Sequence, residues 1–355
     1  MESALPHRRS FRNVATTAAI LLALSVPGCT SGPEPPDQQS PTVQSSTAGG
    51  TTGEPSPSGP ASPAGDVRLA AVGDMNGVKT TAADSPSGRN GAAISELVKN
   101  NEIDAFLGLG DFQYDTARCE DYVKYWTRLW GGTKSKLYWV SGPGHDWQPG
   151  RNEDLDDFMN GECRGSRAKA AINEQRGFIG NGEPYSKDFG NWHFAFLSSA
   201  HWRYSQKQAR GITEWLDKDL AAARAAGKHL AVVHHEPYFT SNTKAHERAN
   251  DHRPWINVMW KHRVRLTLSG SQHNYERSCP VNTADECVDD GITAFQVSTG
   301  GTGLRSFTSS PDYIEKRFSD TYGFLRLTLR DDGSFDWNFV PTSGSSTDEG
   351  TRSAP

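Results

Sequence analysis

Val67-Arg68-Leu69-Ala70-Ala71-Val72-Gly73-Asp74-Met75-Asn76 decides the fold: a short β-rich run breaks on a glycine, and a carboxylate follows at once. The same grammar returns four times downstream. An apolar run over 105–109 leads into Gly110-Asp111-Phe112-Gln113-Tyr114, and one over 137–140 leads into Gly142-Pro143-Gly144-His145-Asp146. Runs over 230–233 and 264–268 lead into His234-His235-Glu236-Pro237 and Gly270-Ser271-Gln272-His273-Asn274-Tyr275-Glu276-Arg277. Short apolar runs bounded by glycine read as buried strands. Asp74, Asp111, His145, His235 and His273 each fall within five residues of a predicted strand end, where open α/β sheets collect ligands.

Helical spacing occupies the intervals, over 91–98, 122–130, 213–226 and 255–262. The run 213–226 is the clearest, with Trp215, Leu216 and Leu220 on one face and Gly227 as a stop signal. Alternation over 192–197 adds a strand. The C-terminal part is all β, over 293–297, 324–329 and 335–340, the last two joined by the hairpin signal Asp332-Gly333. No internal repeat occurs. The pattern predicts an α/β core with covered sheets and an antiparallel end.

The chain has 355 residues and a net charge of −5, which argues against a nucleic-acid partner. Its apolar share, about 42% with glycine counted and tyrosine left out, is slightly low for a globular protein. A diluting segment explains this. Residues 1–28 have Arg8, Arg9 and Arg12 ahead of an apolar run over 14–26, the layout of an export signal too short to span a bilayer. Val26-Pro27-Gly28-Cys29 resembles a lipobox, with Cys29 as the lipid-bearing residue, and Arg8-Arg9-Ser10-Phe11 resembles part of a twin-arginine signal. Residues 29–65 are Pro-, Ser-, Thr- and Gly-rich and read as a disordered tether; residues 342–355 read as a disordered tail. The folded unit is therefore expected over 66–341. Cys119, Cys163, Cys279 and Cys287 are an even set in a chain expected to be exported, so disulfides follow, with Cys119–Cys163 and Cys279–Cys287 favoured and the other connectivities open.

Carboxylate, phenolate and imidazole groups brought to one sheet edge suit hard or borderline cations. Such a cation neutralises a phosphoryl oxygen and acidifies a bound water. In order and context the five blocks resemble those of the calcineurin-like metallophosphoesterases, more closely the purple acid phosphatase branch, over about 67–340. The branch shows G-D, G-D-x-x-Y, G-N-H-[DE], H-x-P and G-H-x-H, and Trp192-His193-Phe194 and Tyr275-Glu276-Arg277 also fit. The resemblance implies a four-layer α/β/β/α sandwich of two mixed sheets that hydrolyses a phosphoric ester. It implies a first metal site of Asp74, Asp111, Tyr114 and His273 holding Fe(III), with Asp111 bridging to a second divalent metal (Fe, Zn or Mn) that His235 also binds. His145 would lie beside the phosphate as a catalytic group. Asn76 stands where many relatives have a further ligand, or caps the following turn.

The second site departs from this pattern. Gly144 replaces the family asparagine and Ser271 the first histidine of the last block, so the second metal is expected to be weak or absent unless His234 or Gln272 compensates. Two readings follow. One is an exported phosphoesterase acting on a small-molecule phosphate ester, with no nucleic acid partner. It would be attached to the outer face of the membrane only through lipid at Cys29, or secreted. The other is a catalytically degenerate relative that binds a phosphorylated or anionic envelope ligand. Single-iron redox chemistry fits less well, because the first site has one histidine, two carboxylates and a phenol. The glycine-rich stretch 298–303 lacks the Lys-Ser/Thr ending of a phosphate loop and reads as a turn or a pocket wall.

Overall fold

In the computed structural model, which describes residues 65–77, 79–115, 118–151, 154–161, 163, 182–242 and 246–354, thirteen strands form two mixed sheets. In the first, β1 (Val67–Val72), β2 (Ala105–Gly108) and β3 (Leu137–Trp139) are parallel. β11 (Tyr322–Leu329), β12 (Phe335–Ser343) and β13 (Glu349–Arg352) extend that sheet antiparallel from β1. The second sheet contains β4 (Tyr185–Phe189), β5 (Trp192–Leu197), β6 (His229–His234), β7 (Leu266–Ser269), β8 (Tyr275–Val281), β9 (Ile292–Val297) and β10 (Ile314–Phe318). Its order is β10-β8-β9-β7-β6-β5-β4, with β5, β6, β7 and β9 parallel.

Alternation along β5 and β6 shows why both faces are covered. Phe194, Phe196, Ala231 and Val233 point into a core shared with Leu107, Leu327 and Phe339 of the first sheet. Ala195, Leu197, Leu230 and Val232 point the other way, against Ile212, Leu216 and Leu220 of the helix Gln206–Ala225 and Ile256 and Met259 of the helix Arg253–His262. Successive side chains leave a strand on opposite faces, so a strand apolar at every position needs a layer on each side. The helix Pro86–Lys99, capped by Ser85 Oγ accepting from Gly88 N, covers the outer face of the first sheet. The expected sandwich is thus present. β4, β8 and β10 were not read as strands: β4 and β10 are polar edge strands without an apolar run, and β8 is continuous with a motif read for its chemistry.

The expected disordered tail is corrected. β12 runs on to Ser343, and β13 pairs with it in the register Phe335 opposite Arg352. What holds this end down is Asp348, a buried carboxylate that accepts from Tyr275 Oη at 2.8 Å, Arg277 Nε at 2.7 Å and Trp337 Nε1 at 3.1 Å. It links β8 of one sheet to β12 of the other, so the Gly- and Ser-rich stretch is the loop of a hairpin. Disulfides join Cys119 to Cys163 and Cys279 to Cys287. The expected signal segment 1–28, and all but the last residue of the tether 29–65, lie outside the described residues. Among the described residues no helix is long and apolar enough to cross a membrane.

His193 serves the fold. Its Nδ1 lies 2.6 Å from Asp188 Oδ1 and its Nε2 2.8 Å from Asp219 Oδ2. Burial lowers its pKa, but the Asp219 and Asp188 carboxylates outweigh burial and raise it above the ordinary value.

Two predictions follow from these buried charges. Asp348→Ala leaves two aromatic donors without their acceptor and Arg277 with Glu315 alone among the described residues, and should cost about 3 kcal/mol of stability in urea unfolding. The stabilisation from His193 is full below the unfolded histidine pKa and lost as pH rises through the raised folded value. The stability gap between wild type and His193→Gln, measured by thermal unfolding at a series of pH values, should therefore be widest below about pH 6.5 and close as pH rises.

Candidate metal centre

The loops after β1, β2, β3, β6 and β7 meet at one edge of the sandwich, and backbone hydrogen bonds lace them together. Asp74 N donates to Gly110 O at 3.0 Å, Met75 N to Asp111 O at 2.9 Å and Gly270 N to His235 O at 2.8 Å. Gly73 N donates across to Val297 O at 2.9 Å, which ties the first sheet to the second. The stretch 298–303 braces this edge: Gly300 N donates to Gly73 O and Thr302 N to Asp74 O. It is a wall of the site, one of the two readings its sequence left open.

Four residues here have backbones in the left-handed region, namely Asp74 (φ +57°), Asp111 (+53°), Ser271 (+80°) and His273 (+55°). Each costs on the order of 1–3 kcal/mol and persists only where the surroundings over-determine it. For Asp111 the surroundings are Asp146, a fully buried carboxylate that accepts from Asp111 N at 2.5 Å, Phe112 N at 2.9 Å and Gly142 N at 3.0 Å. Burial and the nearby Asp111 charge push the Asp146 carboxyl up to about 7. Sequence reading gave Asp146 no role, although it stands beside His145 in a quoted block.

The side chains of Asp74, Asp111, Tyr114, His235 and His273 converge. Tyr114 Oη lies 2.8 Å from Asp74 Oδ1, 2.6 Å from Asp111 Oδ2 and 3.1 Å from His273 Nε2. His235 Nε2 is 3.4 Å from Asp111 Oδ2. Each histidine turns its other nitrogen to a carbonyl, His235 Nδ1 to Leu109 O at 2.6 Å and His273 Nδ1 to Gly303 O at 3.0 Å. A carbonyl can only accept, so each Nδ1 carries the proton and each Nε2 faces the cluster as a donor to a cation.

Three observations test whether this set fits a metal. One ligand atom each from Asp74, Asp111 and His235 lie within 4.8 Å of one another. Asp111 Oδ1 is buried with no hydrogen-bond partner, a costly state unless a cation meets it. The site also draws positive charge: burial opposes protonation of His235, yet the Asp111 carboxylate pushes its pKa up to about 10. Burial raises the Asp111 and Asp74 carboxyls, but His235 and His273 respectively hold both below the usual range. Burial and the two carboxylates raise the Tyr114 phenol well above its ordinary value. The residues present fit a bound cation.

His145 lies at the mouth. Its Nδ1 contacts Asp115 O, its Nε2 is 4.0 Å from Asp111 Oδ2, and its ring packs 4.3 Å from that of Tyr114. Asn76 donates from its Nδ2 to Thr80 O at 3.2 Å, which matches the turn-capping alternative. His234 faces away, its ring nitrogens against Glu236 O and Thr267 Oγ1, so it cannot replace a missing ligand. Gln272 lines an adjoining cavity of about 420 Å³ together with Ser271, Arg203, Glu236 and His252. Arg203, on the short helix Ala200–Tyr204, had no motif to reveal it.

No family model matches the chain. It is 25% identical over 273 residues to "Probable inactive purple acid phosphatase 27" of Arabidopsis thaliana, a match covering 70% of this chain and 43% of that protein. It is 25% identical over 270 residues to "Nucleotide pyrophosphatase/phosphodiesterase" of Hordeum vulgare, covering 68% of this chain and 70% of that one. The structure of purple acid phosphatase PPD1 from yellow lupin (Lupinus luteus) seeds superposes with a TM-score of 0.58 at 19% identity, over 81% of this chain and 54% of that one. The chain thus spans less than half the length of the first of these relatives. In sequence it is similar to the purple acid phosphatase-like branch of the metallophosphoesterases, and it has their fold.

Outer support of this kind is worth about 10–100-fold in metal affinity. Asp146→Asn should weaken cation binding by that factor in a metal titration. Gly142→Ala should weaken it at least as much, because a Cβ there would lie 1.9 Å from Asp111 Oδ1.

Proposed function

We propose that the chain is a metal-dependent phosphoric ester hydrolase, a phosphatase or phosphodiesterase, whose tightly held cation is Fe(III) bound by Asp74, Asp111, Tyr114 and His273. A second divalent cation, reached by Asp111 and His235, binds weakly or not at all. The observation that carries this reading is the buried, unpartnered Asp111 Oδ1 amid four other converging donors. When bound, the cation supplies Lewis acidity toward a phosphoryl oxygen and makes water a nucleophile near neutral pH.

The chain's own residues do the rest. Asp74 is oriented by Ser271 N, which donates to its Oδ2 at 2.9 Å, and Asp111 is oriented by Asp146. Tyr114 would release its proton to solvent only where a strong cation takes the phenolate oxygen, since its surroundings favour the phenol. His145 is half exposed, and the contact of its Nδ1 with a carbonyl leaves Nε2 as the face that can meet a phosphoryl or leaving-group oxygen. A histidine so placed can move a proton, worth about 10²–10⁴ in rate. Export, with attachment through lipid at Cys29 or release, accords with the two disulfides, and the substrate would be a small phosphate ester met outside the cell.

A second reading is a binder that has lost hydrolysis. Gly144 and Ser271 favour it, as does the word "inactive" in the name of the first relative.

With iron supplied, the full chain should release phosphate from a panel of mono- and diesters. Asp111→Asn should abolish release, and His145→Gln should lower kcat by about 10²–10⁴. Tyr114→Phe should remove a visible charge-transfer band. No Asp111-dependent release with any metal would refute the enzyme. Binding of a phosphorylated ligand unchanged after chelation would establish the second reading in its place.

A further inference from the structure

Gly144 and Ser271, the positions that lack second-cation ligands, have a neighbour in common. A Cβ on Gly144 would lie 3.4 Å from Tyr204 Oη and 3.8 Å from a guanidinium nitrogen of Arg203, so these two side chains stand over that residue. Arg203 also shares the wall of the 420 Å³ cavity with Ser271, Gln272 and Glu236. Gly144 has φ +86°, the region that favours glycine, and a Cβ there would already touch Tyr204.

We infer that Arg203, seated with Tyr204 over Gly144, is a substrate-binding residue that grips the phosphate of the ester where a second cation's charge would otherwise act. The inference rests on the hydrolase reading for the identity of its ligand. A guanidinium presents paired N–H donors in a plane that matches two phosphoryl oxygens, and its charge does not depend on metal supply. The Tyr204 hydroxyl adds a donor beside it, and His145 follows Gly144 directly.

The other cations of the cavity are already committed. Arg248 makes two hydrogen bonds to Asp285, at 2.6 and 2.9 Å, and stacks 3.7 Å from the Tyr238 ring. Burial holds His246 and His252 neutral. Among the described residues Arg203 makes one long contact, 3.5 Å to Glu236 Oε1, with its side chain 52% exposed. An open pair of that length contributes little to stability, so the fold does not require an arginine here. An incoming phosphate can draw the guanidinium away from Glu236.

The test is calorimetric titration of inorganic phosphate into the iron-loaded full chain, with elemental analysis of every preparation. Arg203→Met should raise the Kd for phosphate on the order of tenfold or more, and Arg203→Lys should recover part of the loss. Metal content should stay at the wild-type level in both. An unchanged Kd in Arg203→Met overturns the inference, and so does a loss of metal in step with the loss of phosphate. Wild-type chain that binds no phosphate overturns it as well. Asp111-dependent ester hydrolysis in that same preparation would leave the hydrolase reading standing, so the two failures are separable.

Discussion

A single carboxylate organises this molecule. Asp111 approaches Tyr114 and His235 through one oxygen and leaves the other buried and unpartnered. Its backbone sits in a conformation that costs energy. Neither feature would persist without a frame that fixes it, and the frame is visible. The Asp146 carboxylate holds the Asp111 and Phe112 amides from one side, and the backbone of Asp74 and Met75 pairs with Gly110 and Asp111 from the other. The amide of Gly73 then donates to Val297 O of the second sheet, so the loop that carries Asp74 also ties the two sheets together.

Placement at strand ends explains how much the sequence discloses. Ligands of a two-sheet sandwich must stand just beyond the strands that carry them, so Asp74 two residues after β1 and His235 one residue after β6 are legible from strand ends and glycines alone. The order of the blocks then narrows the family. What cannot be read is whatever the fold supplies from positions with no periodic or motif signal. β4 and β10 are polar edges, and the helix carrying Arg203 and Tyr204 is a single short turn. Asp348 stands in a stretch whose composition resembles an unfolded tail. Its partners Tyr275, Arg277 and Trp337 come from two other strands, and only the assembled sheets bring them together.

The asymmetry of the centre is chemical as well as geometric. On the Tyr114 side, two carboxylates, a phenol and an imidazole offer hard to borderline donors with little exposure. On the His235 side the donors run out at Gly144 and Ser271. Ser271 still contributes, but through its amide to Asp74 Oδ2, so its backbone serves the first side while its side chain leaves the second open. His234, the nearest spare imidazole, is neutral and turned inward, its pKa lowered by burial to about 4.

A guanidinium in place of a cation would change what the centre can do. It can bind and orient a phosphate and stabilise charge on its oxygens, but it cannot acidify a water molecule, because it has no vacant orbital for one. All of the water activation would then fall to the first side. That side is well furnished for it: Asp111 and Asp74 are held ionised against burial by His235 and His273, and Asp146 keeps Asp111 in place. One strong cation to activate water and one fixed charge to hold the ester is a coherent division of labour. It makes the missing second ligands compatible with catalysis and moves the dependence on metal supply to a single site.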